Sequence, residues 1–203
     1  MLFVWILAFC FIVIFCLEMY WLMRIAEYFW AGYVKHQIPF VASSAKLRRT
    51  IVDEINRNYP EYKTVCEIGS GYGGMARAVS RKCGVRVWAL ENMPFTYAVA
   101  RVLDFITGAH RVNTLHVDAF EWLKEYDGVL DIGIAYLGPG VNDRLLDYRD
   151  KFRVLLVLDV PVPDITPTRT IDIGGGYTRY GRTKYPHKLF VYEFVPNDGA
   201  VCK

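Results

Sequence analysis

The sequence lacks the residue patterns that mark metalloproteins, disulfide-rich proteins and nucleic-acid-binding proteins. Its five cysteines include no C-x-x-C pair, so neither a zinc site nor a disulfide framework is predicted. His116 and His187 have no metal-ligand partners at a characteristic spacing. The 24 basic and 21 acidic residues are evenly distributed, and no basic tract indicates a nucleic-acid surface. We therefore expect no metal and no nucleic-acid partner.

Charge is also missing from the N-terminus, where residues 1–17 contain no charged side chain. After Glu18 the apolar run continues to Met23 and stops at Arg24. A helix of residues 1–23 would be roughly 34 Å long, enough to cross a hydrocarbon core of about 30 Å. We interpret it as a single-pass transmembrane anchor. The alternatives are a buried core helix and a signal peptide, although the basic start and small-residue cleavage site of a signal peptide are missing.

Residues 24–42 are predicted to form an interfacial helix and a linker. Aromatic side chains lie near the end of the apolar run, as in the aromatic belts of membrane helices: Tyr20, Trp21, Tyr28, Phe29 and Trp30. Basic residues follow the run and do not precede it, so the positive-inside rule places the remaining chain on the cytosolic or an equivalent side. The lipid bilayer is therefore an expected partner.

Residues 43–203 are predicted to form one domain, because strand and helix patterns alternate along them and the length suits a single core. The predicted strands are 64–68, 85–91, 111–117, 128–136 and 152–160. The predicted helices are 72–83, 94–107, 119–125 and 141–150, with an earlier helix capped by Ser43 or Ser44. Such alternation implies an α/β fold with a mostly parallel sheet. The runs 170–173 and 187–194 have no helix between them, only a glycine-rich loop, and predict a C-terminal antiparallel hairpin.

A glycine-rich turn follows the first predicted strand, in the sequence E-I-G-S-G-Y-G-G at residues 67–74. Glycines at such a turn let the backbone approach a ligand closely. The residues predicted to contact a cofactor here are Glu67, Gly69, Ser70, Gly71 and Gly73. The spacing alone fits a dinucleotide as well as S-adenosylmethionine.

Two carboxylates bear on the choice between S-adenosylmethionine and NAD, and one of them favours S-adenosylmethionine. Glu67 lies at a strand end where dinucleotide-binding proteins usually have an apolar residue, because pyrophosphate must lie nearby; an acid suits a ligand with an amino group. Glu91 closes the second strand and can accept hydrogen bonds from both ribose hydroxyls of either cofactor. The remaining chain is too short for a separate hydride-acceptor domain. We therefore predict S-adenosylmethionine as the cofactor.

Further site residues are predicted after the third and fourth strands. Asp118 is expected to bind the adenine amino group, with Ala119 and Phe120 near the ring; alternatively, Asp118 only caps the next helix. Tyr136 is expected to line the acceptor site, and its alternative is a structural aromatic at a strand end. Asp131, in the middle of the fourth strand, is expected to make a buried structural hydrogen bond; alternatively, it interacts with the reacting site.

Together these residues resemble the class I, seven-stranded S-adenosylmethionine-dependent methyltransferases, which have a Rossmann-like sheet. The apolar leader, P-F-V-A-S-S at 39–44, V-P-V-P-D at 160–164 and F-V-Y-E-F at 190–194 more specifically resemble small membrane-anchored protein-lysine methyltransferases. Mitochondrial members of that family methylate the ATP synthase c subunit and the adenine nucleotide translocase. The resemblance implies lysine methylation of a membrane protein.

The same resemblance assigns closure over the cofactor to Phe40, Val41 and Ser43. The chain departs from the family pattern at Ala42, where a second proline is common, and at Glu67 and Tyr72, where aspartates are common. Two other functions remain open at this point. One is methylation of a lipid or small molecule, which an anchor suits equally well. The other is a catalytically silent scaffold that binds the cofactor.

Overall fold

The computed structural model divides into two units, Met1–Pro39 and Phe40–Lys203. It describes residues 1–29, 42–138, 140–175, 177–178, 181–182 and 186–194. The predicted linker before residue 42 and the residues Phe40 and Val41 therefore lie outside the described residues.

The described part of the first unit is one helix, α1 (Leu2–Phe29). Its segment Phe3–Glu27 has a mean hydropathy of 2.4 and is long and apolar enough to cross a membrane. Large apolar side chains are exposed along the helix, and none of its most apolar window is buried. A core helix of a soluble protein would bury them, so the described residues do not support that alternative. The helix continues past the predicted end of the span at residue 23.

The second unit contains a seven-stranded sheet with helices on both faces. Its helices are α2 (Ala45–Asn58), α3 (Gly74–Cys83), α4 (Pro94–Ile106) and α5 (Ala119–Glu125), and a 3₁₀ helix spans Asn142–Lys151. Its strands are β1 (Thr64–Ile68), β2 (Arg86–Glu91), β3 (Val112–His116), β4 (Leu130–Ala135), β5 (Phe152–Leu158), β6 (Arg169–Gly174) and β9 (His187–Glu193).

The sheet order is β3-β2-β1-β4-β5-β9-β6. Strands β1 to β5 run parallel, whereas β9 is antiparallel to both β5 and β6. This topology confirms the predicted Rossmann-like seven-stranded fold with its terminal antiparallel hairpin. The parallel strands all end at one edge, so the loops that follow them meet there.

Two local features differ from the sequence predictions. The segment 141–150, predicted as a helix, is the 3₁₀ helix, in which Tyr148 has non-helical backbone angles. The loop predicted between the last two strands contains a short two-stranded hairpin, β7 (Tyr177–Thr178) and β8 (Gly181–Arg182). Neither segment has a long apolar periodicity, which is the main sequence signal that distinguishes one type of regular element from another.

Helix α2 begins at the predicted serine pair. The Ser44 hydroxyl accepts a hydrogen bond from the Leu47 backbone N–H at 3.2 Å, so Ser44 rather than Ser43 is the cap. The apolar face of α2 is buried with α3 on one side of the sheet, and α5 with the 3₁₀ helix covers the other side. This packing places the N-terminus of α2 near the edge where the parallel strands end.

Asp131 lies at the opposite end of the sheet. Its Oδ2 accepts hydrogen bonds from the Lys63 and Thr64 backbone N–H groups, both at 2.9 Å, and from the Thr64 hydroxyl at 2.8 Å. These bonds join the start of β1 to the start of β4. The predicted structural role of Asp131 is confirmed.

Candidate active site

The glycine turn between β1 and α3 has a tightly folded backbone. Gly69, Gly71 and Gly73 have φ angles of 69°, 58° and 69°, in the left-handed region that favours glycine. A Cβ atom on Gly69 would also lie 2.9 Å from Cδ2 of Leu137, in the loop after β4. Because Gly73 still belongs to the turn, α3 begins at Gly74 rather than at the predicted residue 72.

Glu91 holds this turn in place. Its Oε2 accepts a hydrogen bond from the Gly71 N–H at 2.7 Å, and its Oε1 accepts one from the Met93 N–H at 2.9 Å. The residue is only 6% exposed. Glu91 therefore stabilises the glycine turn, in addition to its predicted contact with the ribose.

Glu67 is a buried carboxyl group below the turn. Its Oε2 accepts a hydrogen bond from the Ala76 N–H at 2.8 Å. Burial raises the pKa of Glu67 from 4.5 to about 8, although the Ala76 N–H and the charge of Arg77 act in the opposite direction. A cation placed beside this group would offset its cost of burial.

Arg77 links the turn to neighbouring elements. Its guanidinium donates to Asp104 Oδ1 at 2.9 Å and to the Tyr72 carbonyl oxygen at 2.6 Å. Asp104 Oδ2 accepts from the Thr114 hydroxyl at 2.6 Å. This network was not predicted, because its side chains come from three elements that are distant in sequence, α3, α4 and β3. Its only sequence signal is a basic residue in the first turn of the helix after the glycines.

A cavity of about 210 Å³ opens beside the turn. Five of the predicted site residues line it: Ser43, Glu67, Gly69, Ser70 and Tyr136. The other lining residues are Ala42, Arg48, Tyr72, Gly74, Met75, Arg77 and Ile134. Arg48 was not predicted as a site residue. Its guanidinium donates to the Ser43 carbonyl oxygen and so fixes the segment before α2.

The Ser70 side chain has a feature that is expected of a ligand-binding residue. Its hydroxyl oxygen is buried and has no hydrogen-bond partner within the described structure. Buried polar atoms are normally paired, and an unpaired one needs an explanation. Since Ser70 lines the cavity, a polar ligand atom there would complete its hydrogen bonding.

The residues predicted to surround adenine do not line this cavity. Asp118 caps α5, because its Oδ1 accepts hydrogen bonds from the Phe120 N–H at 2.9 Å and the Glu121 N–H at 3.3 Å. Phe120 is buried, and the Arg144 guanidinium lies 3.9 Å from its ring centroid. The capping alternative is therefore observed, while adenine contacts by Asp118, Ala119 and Phe120 stay a prediction.

Tyr136 lies directly after β4, with its ring partly buried against the core. Burial, together with the nearby Asp159 carboxylate, raises the pKa of Tyr136 to about 12. The Tyr136 phenol therefore stays protonated at neutral pH.

The Glu67→Gln substitution should stabilise the protein at alkaline pH. The folded-state pKa of about 8 exceeds the ordinary 4.5, so the wild type loses stability as the pH rises between these values. The variant has no such titration. We expect its melting temperature to exceed that of the wild type by a margin that widens from pH 5 to about pH 8 and is constant above. Thermal unfolding at several pH values measures this margin.

The control for that experiment is Glu125→Gln, at an exposed position at the end of α5. Its melting temperature should follow that of the wild type at every pH. A margin for Glu67→Gln that did not vary with pH would contradict the assignment of Glu67 as a buried acid with a raised pKa.

Comparison with known proteins gives similarity in structure alone. No protein-family model matches the chain, and no curated protein sequence matches it. An RNA methyltransferase from Salinibacter ruber in complex with S-adenosyl-L-homocysteine has a TM-score of 0.61 and 20% identity, covering 78% of this chain and 98% of that chain. A precorrin-6y C5,15-methyltransferase from Geobacter metallireducens has a TM-score of 0.58 and 14% identity, covering 76% and 91%.

The chain has a class I methyltransferase fold. This fold also occurs in a protein named for a different reaction. The precorrin-8w decarboxylase of Methanobacterium thermoautotrophicum has a TM-score of 0.56 and 17% identity, covering 78% of this chain and 96% of that chain. At sequence identities of 14–20% the structural similarity shows the fold alone, and the fold does not determine the reaction.

Proposed function

We propose that the protein is an S-adenosylmethionine-dependent methyltransferase that acts on a lysine side chain of a membrane protein. Residues 1–23 are its transmembrane anchor, residues 24–42 an interfacial helix and linker, and residues 43–203 its catalytic domain. The observation that carries the proposal is the cavity at the carboxyl edge of the sheet, which combines the buried Glu67 carboxyl group with the unpaired Ser70 hydroxyl.

The residues around this cavity fit S-adenosylmethionine. The amino group of the ligand would lie against Glu67, which burial has made costly to ionise. The ribose would lie toward Glu91, and the glycine turn would allow its close approach. Ser43 lines the same cavity from the segment before α2. Phe40 is proposed to close over the ligand, as in the family that the sequence resembles.

Methyl transfer requires the protein to align the donor and the acceptor more than it requires proton transfer by a side chain. The bound cofactor supplies an activated methyl group on a sulfonium, and the acceptor displaces it in line. The protein must hold the acceptor close to that carbon and keep its nitrogen unprotonated. A free lysine has a pKa of about 10.4, which an apolar environment lowers. Tyr136 lines the cavity at the acceptor position after β4 and is proposed to contact this nitrogen.

The membrane assignment rests on α1. The segment Phe3–Glu27 is long enough to span and carries its apolar side chains exposed. Basic residues follow the apolar run, which supports a catalytic domain on the cytosolic or an equivalent side. An enzyme held at the bilayer has a high local concentration of membrane substrates. The resemblance to membrane-anchored lysine methyltransferases selects lysine among these substrates, and a lipid or small-molecule acceptor is the second candidate.

Calorimetry with the full-length protein in detergent tests the cofactor assignment. S-adenosylmethionine and S-adenosylhomocysteine should bind with similar affinity, and NAD should not bind. The Glu67→Ala variant should bind both sulfur nucleotides more weakly, because it leaves their amino groups without a carboxylate partner. Binding of NAD in preference to S-adenosylmethionine would overturn the proposed function.

A further inference from the structure

Helix α4 exposes an apolar patch on the surface of the sheet domain. Its residues Val102, Phe105 and Ile106 are 57%, 88% and 70% exposed. Their spacing of three and four positions places them on one face of the helix, near its end at Ile106. Among the described residues after α1, Val129 is the only other large apolar side chain that is exposed. The exposed apolar surface is therefore concentrated in one place, which is typical of a contact with a partner.

The exposed charged side chains that accompany this patch are basic. Arg101 lies on α4 itself, and the Arg81 guanidinium donates to the Thr107 carbonyl oxygen, just after α4, at 3.5 Å. Arg111 lies between α4 and β3 and donates to the Gly84 carbonyl oxygen, just after α3, at 2.8 Å. Five exposed basic residues, which we term the basic rim, come from this part of the chain: Arg81, Lys82, Arg86, Arg101 and Arg111.

The same part of the chain exposes no acidic side chain. The structure describes every residue from 78 to 116, and the two acids in that range, Glu91 and Asp104, are both buried. Glu91 accepts hydrogen bonds from the glycine turn, and Asp104 is paired with Arg77. The exposed charge of residues 78–116 is therefore entirely positive.

An apolar patch with a basic rim fits the surface of an anionic bilayer. Apolar side chains can enter the boundary between headgroups and acyl chains, while arginine and lysine bind the anionic headgroups. A nucleic acid would use the basic rim but not the three apolar side chains. A second copy of this chain would place one basic rim against another, which like charges oppose. The proposed orientation of the anchor also places the domain beside the leaflet that carries anionic lipid.

We propose that the apolar patch and the basic rim form a second membrane contact, which docks the sheet domain on anionic lipid. The inference goes beyond the proposed methyltransferase function and relies on the proposed anchor only for proximity to a bilayer. No residue of the patch or the rim lines the described cavity. Because α4 leads back to the start of β3, the patch lies toward the opposite edge of the sheet. Docking therefore leaves the cavity open.

Hydroxyl-radical footprinting of Phe105 tests this contact, because it measures the solvent access of one side chain. The full-length protein is inserted into nanodiscs of phosphatidylcholine and into nanodiscs of phosphatidylcholine and phosphatidylserine in equal parts. Oxidation of Phe105, relative to Tyr148 on the other face of the sheet, should be at least about threefold slower in the anionic discs. At about 1 M salt, where the screening length is about 3 Å, this difference should disappear.

Equal oxidation of Phe105 in the two kinds of nanodisc would overturn the proposal. This holds whether the patch is then open to water or is covered by a second copy of the chain or by another protein.

Two pairs of variants separate the basic rim from the apolar patch. Arg101→Gln should return the oxidation of Phe105 toward its rate in neutral discs, since one basic residue changes the docking equilibrium about fivefold. Arg149→Gln makes the same charge change on the 3₁₀ helix and should have no effect. Ile106→Ser should weaken docking about tenfold, whereas Val129→Ser, outside the patch, should not. Full protection of Phe105 in both Arg101→Gln and Ile106→Ser would contradict the proposal.

The outcome can be separated from that of the other proposals. These variants lie outside the cofactor cavity, so their affinity for S-adenosylhomocysteine should be unchanged. Insertion into neutral nanodiscs depends on the anchor and not on the basic rim. A chain that entered neither kind of disc would contradict the anchor. Its sedimentation with anionic vesicles and not with neutral ones would still support the second contact, and sedimentation with neither would overturn it.

Discussion

The Glu91→Ala substitution should lower the affinity for S-adenosylmethionine by about 100-fold or more. The variant removes the acceptor of two backbone hydrogen bonds, from Gly71 and from Met93, and hydrogen bonds to charged groups contribute about 1.5–3 kcal/mol each. It also removes the proposed ribose partner. Because the glycine turn then loses its support, the variant should lose both the shape of the cofactor site and the contact with the ribose. Isothermal titration calorimetry of both proteins measures this change.

Two variants make the result specific. Glu125→Ala removes an exposed carboxylate at the end of α5 and should bind as the wild type does. Glu91→Gln keeps one acceptor oxygen and should lie between the wild type and Glu91→Ala. An affinity of Glu91→Ala within about threefold of the wild type would mean that the cofactor does not use this turn.

Deleting residues 1–29 should move the protein from the membrane fraction to the soluble fraction. The deleted helix holds an apolar segment with a mean hydropathy of 2.4, whereas the sheet domain buries its own apolar core. Burial of a membrane-spanning apolar helix in lipid contributes tens of kcal/mol, at about 25 cal/mol per Å² of apolar surface. We therefore expect nearly all of the truncated protein in the soluble fraction. Fractionation of cells that express each form, followed by an alkaline carbonate wash, measures it.

The same preparation separates an anchor from a signal sequence. Intact mass spectrometry of the full-length product should show that residues 1–23 are retained. The truncated form should still bind S-adenosylhomocysteine, since every residue that lines the described cavity follows residue 41. A full-length protein that is released by the wash, or one that has lost its leader, would contradict the anchor.

The sheet could be predicted because short apolar strands alternate with amphipathic helices. Isoleucine, valine and leucine in β4 and β5 are buried on both faces, which produces continuous apolar runs that are easy to recognise. The glycine turn was also predictable, since its residues are contiguous in sequence. The start of α3 was not, because the left-handed Gly73 keeps the turn open for two more residues.

The contacts within the site were predictable only in part. Glu67 was predicted to contact the cofactor from its position at the carboxyl end of β1, but the sequence could not show how strongly burial raises its pKa. Long-range partners were missed. Asp159 and His187 lie in separate elements, and only the reversed direction of β9 brings them together. No pattern in the sequence encodes that pairing.

Transfer of labelled methyl groups is the most direct test of methyltransferase activity and of the lysine acceptor. The purified wild-type protein and Glu91→Ala are each incubated with radiolabelled S-adenosylmethionine and membranes from their own source, and protein is then separated from lipid. We expect a labelled protein band with the wild type that is absent with the variant, and methylated lysine in the hydrolysate of that band. Label confined to the lipid fraction, or no label from a protein that binds the cofactor, would contradict it.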